Sequence, residues 1–215
     1  MANLVIFDLD DTLLSGDSEF HFTKYIVKQG MLDEEYYLQK IKKFDLDYRS
    51  GNLNFIEYMK FLLFPLIGKE KKEVDELVLN FIDSTKDVLI DNLTFKLLDK
   101  HTNETLLIAS GALDFIVKGF ANYFKVNDHI GTKTEFINNK VTGNTIGEPN
   151  FESGKLINVK KWCNKKKFNL EEATFYTDSI HDLPLVEKCK NSILVSPDER
   201  LKKLGENKNL KIIQR

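Results

Sequence analysis

Leu4-Val5-Ile6-Phe7-Asp8-Leu9-Asp10-Asp11-Thr12-Leu13-Leu14 is an apolar run that breaks off into three acids. Four consecutive apolar residues bounded by polar ones predict a strand buried within a parallel sheet. Open α/β sheets bind ligands at the carboxyl edge, and this strand delivers its carboxylates there. Asp8 and Asp10 alternate along an extended chain, which turns both side chains toward one crevice and Leu9 the other way. Two acids held this close repel, and burial raises the cost, so the pair needs a shared proton or a cation. A divalent metal with hard oxygen ligands meets that need. The same stretch also describes a plain strand with an acidic turn, and the rest of the chain decides between the two.

At 215 residues the chain is long enough for one substantial core, or a core with a modest insert. Its 42% hydrophobic and 30% charged residues are those of an ordinary globular protein. A formal net charge of -2 offers no electrostatic footprint for nucleic acid or an anionic membrane. The run Lys165-Lys166-Lys167 falls at the end of a predicted helix, where the dipole favours cations. Cys163 and Cys189 have no metal-ligand spacing and suggest a reducing compartment. No basic leader precedes the first apolar run, and Phe61 to Ile67, interrupted by Pro65, is too short to span a bilayer. The expectation is a cytoplasmic protein with no nucleic-acid or membrane partner; the sequence leaves oligomeric state open.

Residues 16–85 carry helical periodicity and no strand pattern. Phe22, Tyr25 and Ile26, then Tyr36, Tyr37, Ile41 and Phe44, have helical spacing, with a break at Gly30. A helix over 55–64 is stopped by Pro65, and another over 71–84 aligns Val74, Leu77, Val78, Phe81 and Ile82. We read 16–85 as a helical cap over the sheet edge, inserted between residues 1–15 and 86–215 of an α/β core. The alternative is that these helices belong to the main layer.

A second strand, 104–109, ends at Ser110-Gly111 and leads into an amphipathic helix carrying Leu113, Ile116, Val117, Phe120, Ala121 and Phe124. Strand, Ser-Gly, then helix predicts an anion site at the first-turn amides, although Ser110 also suits a simple helix cap. Residues 126–146 read as a small hairpin excursion with turns at Asn138-Asn139 and Thr142-Gly143-Asn144. Ser153-Gly154-Lys155 opens a helix, and a lysine in the first turn opposes the dipole preference, which marks Lys155 out. A third strand over 173–176 also ends in acids, where Asp178 and Asp182 straddle a turn and face the crevice of Asp8; Asp182 also suits the cap of the helix that follows. With further strands at 191–195 and 210–213, the alternation predicts a doubly wound parallel sheet.

Asp8-Leu9-Asp10-Asp11-Thr12-Leu13, Ser110-Gly111, Lys155 and Asp178-Ser179-Ile180-His181-Asp182, in that order, resemble the four motifs of the haloacid dehalogenase superfamily. The position of the helical insert is similar to that in the phosphoserine-phosphatase-like branch, subfamily IB. The resemblance implies a Rossmann-like core and a phosphatase acting on a small-molecule phosphate monoester. It gives Asp8 as nucleophile and Asp10 as general acid and base. Mg2+ would be held by Asp8, Asp178 and the backbone carbonyl of Asp10; Ser110, Gly111 and Lys155 would hold phosphate, and Asp182 would orient Lys155 or a metal-bound water.

The chain also departs from that pattern. Thr177 stands where the fourth motif often has glycine, Asp17 stands where phosphoserine phosphatases carry a substrate-binding Glu, and apolar Leu62 aligns with their carboxylate-binding Arg. Only Arg49 or Lys60 remain to substitute for that Arg, which counts against phosphoserine as substrate. The alternative functions are a phosphotransferase or phosphomutase of the same fold, or a non-catalytic phosphate- or metal-binding module. The complete set of catalytic residue types counts against the last.

Overall fold

The acidic run does begin as a strand, and that strand, β1 (Leu4–Phe7), is buried at every residue. A computed structural model of the chain describes residues 3–126 and 128–215. After β1 come α1 (Ser18–Lys28), α2 (Glu34–Ser50), α3 (Phe55–Leu63), α4 (Lys71–Leu89) and α5 (Asn92–Asp99). Then follow β2 (Thr105–Leu113), α6 (Asp114–Tyr123), β3 (Asp128–Thr132), β4 (Thr134–Ile137), β5 (Lys140–Thr145) and α7 (Ser153–Lys166). The chain closes with β6 (Thr174–Thr177), α8 (Leu183–Val186), β7 (Asn191–Val195), α9 (Glu199–Asn207) and β8 (Lys211–Ile213).

Six strands form one sheet in the order β3-β2-β1-β6-β7-β8, every neighbouring pair parallel. From β1 the chain first builds outward through β2 and β3, then crosses back to β6 on the other side of β1. The order therefore reverses beside β1, and the loop carrying the acids leaves the sheet where doubly wound folds open a crevice.

The helices between β1 and β2 form where periodicity predicts them, with Asp17, Asp33 and Asn54 capping α1, α2 and α3 through hydrogen bonds from amides of their first turns. α4 runs past residue 84, because Ser84 and Thr85 turn their hydroxyls back onto the Phe81 carbonyl instead of interrupting the helix. α1 and α4 share an apolar cluster with α6: Phe81 packs edge-on against both Phe22 and Phe120. Gly119 of α6 allows the close approach of α4, since a Cβ there would lie 2.5 Å from Val78.

Two elements differ from expectation. β2 continues through Ser110 and Gly111 to Leu113, so the helix begins three residues later than the Ser-Gly pair implies. The first strand of the 126–146 excursion, β3, is an edge strand of the main sheet, and only β4 and β5 form the hairpin. β3 is five residues long and contains His129 and Gly131, so no apolar run advertises it. The hairpin turn lies at Asn138 and Asn139, both with positive φ. Both cysteines are unpaired, and among the described residues no helix is long and apolar enough to cross a membrane.

Candidate active site

Past β1 the chain turns sharply. The Asp8 amide donates to the Tyr176 carbonyl at 2.9 Å, Asp11 adopts φ 49°, and the Leu14 amide closes back on the Leu9 carbonyl. Aspartate tolerates this left-handed conformation better than most residues, and the turn leaves Asp8 and Asp10 on the same cavity wall. Lys155, in the first turn of α7, inserts its ammonium between two acids, 2.9 Å from Asp8 Oδ1 and 2.6 Å from Asp182 Oδ1. All three side chains are almost wholly buried. Burial acts to strip Lys155 of its proton, but Asp182 and Asp8 outweigh it and hold the ammonium above the ordinary lysine value. Burial pushes Asp8 up to about 6, with Lys155 pulling it down and Asp182 pushing it further up.

Asp182 makes no side-chain cap on α8. It accepts a 2.6 Å hydrogen bond from Thr177 Oγ1 and pairs with Lys155, so the threonine that replaces the motif's glycine orients the lysine's partner. Asp10 accepts from the Ser18 amide at 2.6 Å and from Ser110 Oγ at 3.4 Å. Burial, then the nearby charges of Asp17 and Asp8, holds its carboxyl well above the usual range. Asp178 has one side-chain donor, Thr12 Oγ1 at 3.1 Å, and burial followed by repulsion from Asp8 and Asp11 raises it in the same way.

The anion site predicted at a helix start is corrected by the extension of β2. Ser110 lies inside the strand, where its Oγ accepts from the Ala112 amide and keeps that segment extended. The register of β2 with β3 shifts between Ala109 and Leu113, and it is this irregular stretch, with Gly111 and Ala112, that borders the cavity.

Two positioning residues have no sequence signature. Buried Asn150 donates to the Ser110 carbonyl at 2.8 Å and to the Ile130 carbonyl at 3.3 Å, tying the loop before α7 to the strands beneath. Gly154 passes so close to the Pro149 carbonyl that a Cβ would lie 2.1 Å from its oxygen. Both fix where Lys155 enters.

The cavity is roofed by α2 and α3, which contribute Ile41, Phe44, Asp45, Tyr48, Phe55 and Tyr58 to its lining. Asp17, Glu19 and Asp45 line it with Phe20, Phe44, Tyr48, Phe55, Tyr58 and Phe151. Of Asp17, Arg49, Lys60 and Leu62, the insert positions compared with the phosphoserine phosphatases' substrate site, only Asp17 lines it. Leu62 is buried in the apolar cluster that the insert shares with the sheet, Lys60 is exposed, and Arg49 points outward and bonds Asp45. Neither cation therefore substitutes for a carboxylate-binding Arg. Glu19 escaped notice because an acid in a helix's first turn reads as a simple response to the dipole.

The charge balance fits a divalent cation: Asp8, Asp10, Asp178 and Asp182 line a cavity that holds a single ammonium, which pairs with Asp8 and Asp182. Among the described residues no three His, Cys, Asp or Glu side chains converge on one metal-sized position. Asp8 and Asp178 would thus be completed by main-chain and water oxygens.

A parallel sheet with an acidic crevice at its reversal point and a helical roof above it defines a class, that of capped α/β enzymes built around the end of their first strand. Residues 5–187 match the family model of haloacid dehalogenase-like hydrolases. The chain is 32% identical over 220 residues to a histidinol-phosphatase of Neisseria meningitidis, covering 99% of each. A crystal structure of a Bordetella pertussis protein of unknown function superposes with a TM-score of 0.90 at 22% identity over 99% of each chain. A substrate-bound phosphoserine phosphatase does so with 0.69 at 18% identity, over 98% of this chain and 99% of that one. The chain belongs to the haloacid dehalogenase-like hydrolase family, and within it to the phosphatases.

Proposed function

We propose that the protein is a Mg2+-dependent phosphatase of small phosphate monoesters that works through an aspartyl-phosphate on Asp8. The observation that carries this is the buried Lys155 ammonium bonded to Asp8, within a cavity shared with Asp10, Ser110 and Asp178. Asp8 Oδ1 is engaged by Lys155, which leaves Oδ2 to attack phosphorus in line as the ester bond breaks. Asp10, whose carboxyl burial and the charges of Asp17 and Asp8 raise well above the usual range, gives its proton to the departing alkoxide. It then takes a proton from the water that cleaves the acyl phosphate.

Asp8 and Asp178 would hold Mg2+ together with the Asp10 carbonyl, and the ion would offset the repulsion between carboxylate and phosphate. Lys155 and Ser110 would hold the non-bridging oxygens, Asp182 keeping the lysine in line. Histidinol phosphate and phosphoserine, the substrates in the names of the relatives, are the first esters to assay.

The test is inorganic phosphate release from an activated aryl phosphate, with magnesium and with chelator, for wild type and Asp8→Asn. Release should require magnesium and fall by several orders of magnitude in the variant. A variant keeping a tenth of wild-type activity overturns the covalent scheme. Asp10→Asn should cost roughly 10²–10⁴-fold with poor leaving groups and much less with an activated one.

A further inference from the structure

The chain leaves the core for the insert and returns to it through two segments that lie side by side. The Ser15 amide donates to the Leu89 carbonyl at 2.8 Å, the Ser15 hydroxyl to the Val88 carbonyl at 2.8 Å, and the buried Thr94 hydroxyl to the Leu13 carbonyl at 2.6 Å. Arg215 stands on both segments. One terminal nitrogen of its guanidinium donates to the Thr12 carbonyl, on the outgoing side. The other pairs with Asp91, on the returning side, where the same carboxylate caps α5. Arg215 is itself fixed by its amide, which donates to Ser196 Oγ at 2.8 Å just past β7, and its side chain is only 17% exposed.

Thr12 links this clamp to the acids of the crevice. It is wholly buried, it follows Asp11 with its φ of 49°, and its Oγ1 is the one side-chain donor to Asp178 among the described residues, at 3.1 Å. With its carbonyl held by Arg215 and its hydroxyl on Asp178, Thr12 cannot shift without disturbing that carboxylate. We infer that Arg215 is a positioning residue of the catalytic centre: it clamps the Asp11-Thr12 turn to the returning segment and, through Thr12, holds Asp178 in place for Mg2+. This deepens the phosphatase reading and rests on its assignment of Asp178 as a metal-holding acid.

An ordinary surface ion pair would do none of this, since exposed pairs contribute little and hold nothing in register. Arg215 differs in being largely buried and in dividing its donors between a carbonyl and a carboxylate, a use of the planar fork that lysine lacks. Neither Arg215 nor Thr12 lines the cavity, whereas Asp178 does, so any effect on the site must pass through that acid. Without the guanidinium the Thr12 carbonyl loses its donor, the turn relaxes, and Asp178 loses a directed hydrogen bond. The bonds of Ser15 and Thr94 stay in place, so the two segments remain joined.

The experiment measures Mg2+ binding to the full chain by calorimetry, without substrate, for wild type, Arg215→Ala, Arg215→Lys, Thr12→Val and the double variant Arg215→Ala with Thr12→Val. Arg215→Ala should weaken binding about tenfold or more, the scale of losing a group that orients a metal ligand. Arg215→Lys keeps the charge and gives up the fork, so it should stand between, about threefold weaker than wild type. Thr12→Val removes the hydroxyl that carries the effect. On that background Arg215→Ala should cost less than about threefold, because its route to Asp178 is already gone. A loss of folded protein lowers the number of binding sites and leaves the dissociation constant of the folded remainder unchanged, so stoichiometry separates misfolding from weakened binding.

An affinity in Arg215→Ala within about twofold of wild type, or full additivity in the double variant, overturns the inference. Where Arg215→Ala gives no folded protein, Arg215→Lys takes its place in the same cycle, and wild-type affinity there overturns it equally. Binding of Mg2+ by wild type alongside any of those results leaves the metal assignment standing. A wild type that binds no Mg2+ overturns both.

Discussion

At the scale of single residues, Lys155 neutralises two buried acids, and removing it leaves both without a cation. Lys155→Met keeps the apolar stem and should cost about 3–5 kcal/mol of stability in metal-free protein, the usual penalty for breaking a buried pair from one side. Urea denaturation measures it, and a cost under about 1 kcal/mol would mean that water already screens the pair. Asp17 supports a pH prediction. Burial pushes its carboxyl up to about 6 from an ordinary value of 3.8, so the folded state binds this proton more tightly than the unfolded chain. Its contribution therefore favours folding at pH 4 and is lost as pH rises through about 6. His21 and His129, both lowered by burial, act in the opposite sense as pH rises toward 6.5, so the comparison must be with a variant. Asp17→Asn keeps a good helix cap. Relative to wild type, it should gain on the order of 1–2 kcal/mol in metal-free stability between pH 5 and pH 7; a constant difference across that range would remove Asp17 as the source. The acids of the crevice were readable in the sequence because they follow apolar runs, a pattern with few other causes. Glu19 and Asn150 were not, since an acid in a first turn and an asparagine in a loop are ordinary until the fold puts them against the cavity.

At the scale of elements, periodicity located the helices well because each buries one apolar stripe, whereas the strands of the main sheet were legible where apolar residues cluster, as in the buried β1 and the edge strand β8. β1 and β6 announce themselves as apolar runs; β3, half-buried at the sheet edge, does not. The extent of β2 was hidden by Ser110 and Gly111, residues that usually end a strand but here continue it through the Ala112 to Ser110 hydrogen bond. The loop from Pro149 to Gly154 is the joint between strand and lysine, and it is tight. Glu152 takes φ 49° with ψ -124°, Asn150 is bonded to two strands, and Gly154 has no room for a Cβ beside the Pro149 carbonyl. Gly154→Ala must displace that loop and, with it, the first turn of α7. We expect kcat to fall tenfold or more, with a stability loss of about 1–3 kcal/mol from overpacking. Gly111→Ala is the contrast, because a Cβ there meets nothing closer than 3.7 Å, and its folded stability should stay within about 1 kcal/mol of wild type. If both substitutions cost the same in a thermal melt, the close approach at Gly154 is not what fixes the joint.

At the scale of the whole molecule, the insert is anchored at one end and fastened at the other. α1 and α4 share a core with α6, so that half stays with the sheet, while α2 and α3 reach over the crevice and meet the far side through a short seam. The seam includes the Tyr48 hydroxyl at 2.7 Å from Ser179 Oγ, the His181 ring at 3.2 Å from the Tyr48 carbonyl, and the stacked pair Phe55 and Phe151. None of this was legible in the sequence, because the seam joins residues more than ninety positions apart whose types are common in any core. Its physical role follows from the proposed chemistry beneath: under that scheme an acyl phosphate would have to be reached by one water and kept from bulk solvent, yet the product would have to leave. The Tyr48 ring also packs against His181 and Phe151, so the seam is a small mixed contact of aromatic rings and two hydrogen bonds. Phe55→Ala removes one ring of the stack and leaves both hydrogen bonds and the α1–α4–α6 core in place. Phe55 is only partly buried, so the global stability cost should be about 1–2 kcal/mol. The larger effect should be on ligand retention, with KM for a small phosphate ester rising about tenfold and kcat changing by less than about threefold. Steady-state kinetics on the variant, beside a urea denaturation curve, separates these quantities. A fall confined to kcat at constant KM would show that the stack shapes the reacting geometry and that closure of the roof is carried by Tyr48 and His181 alone.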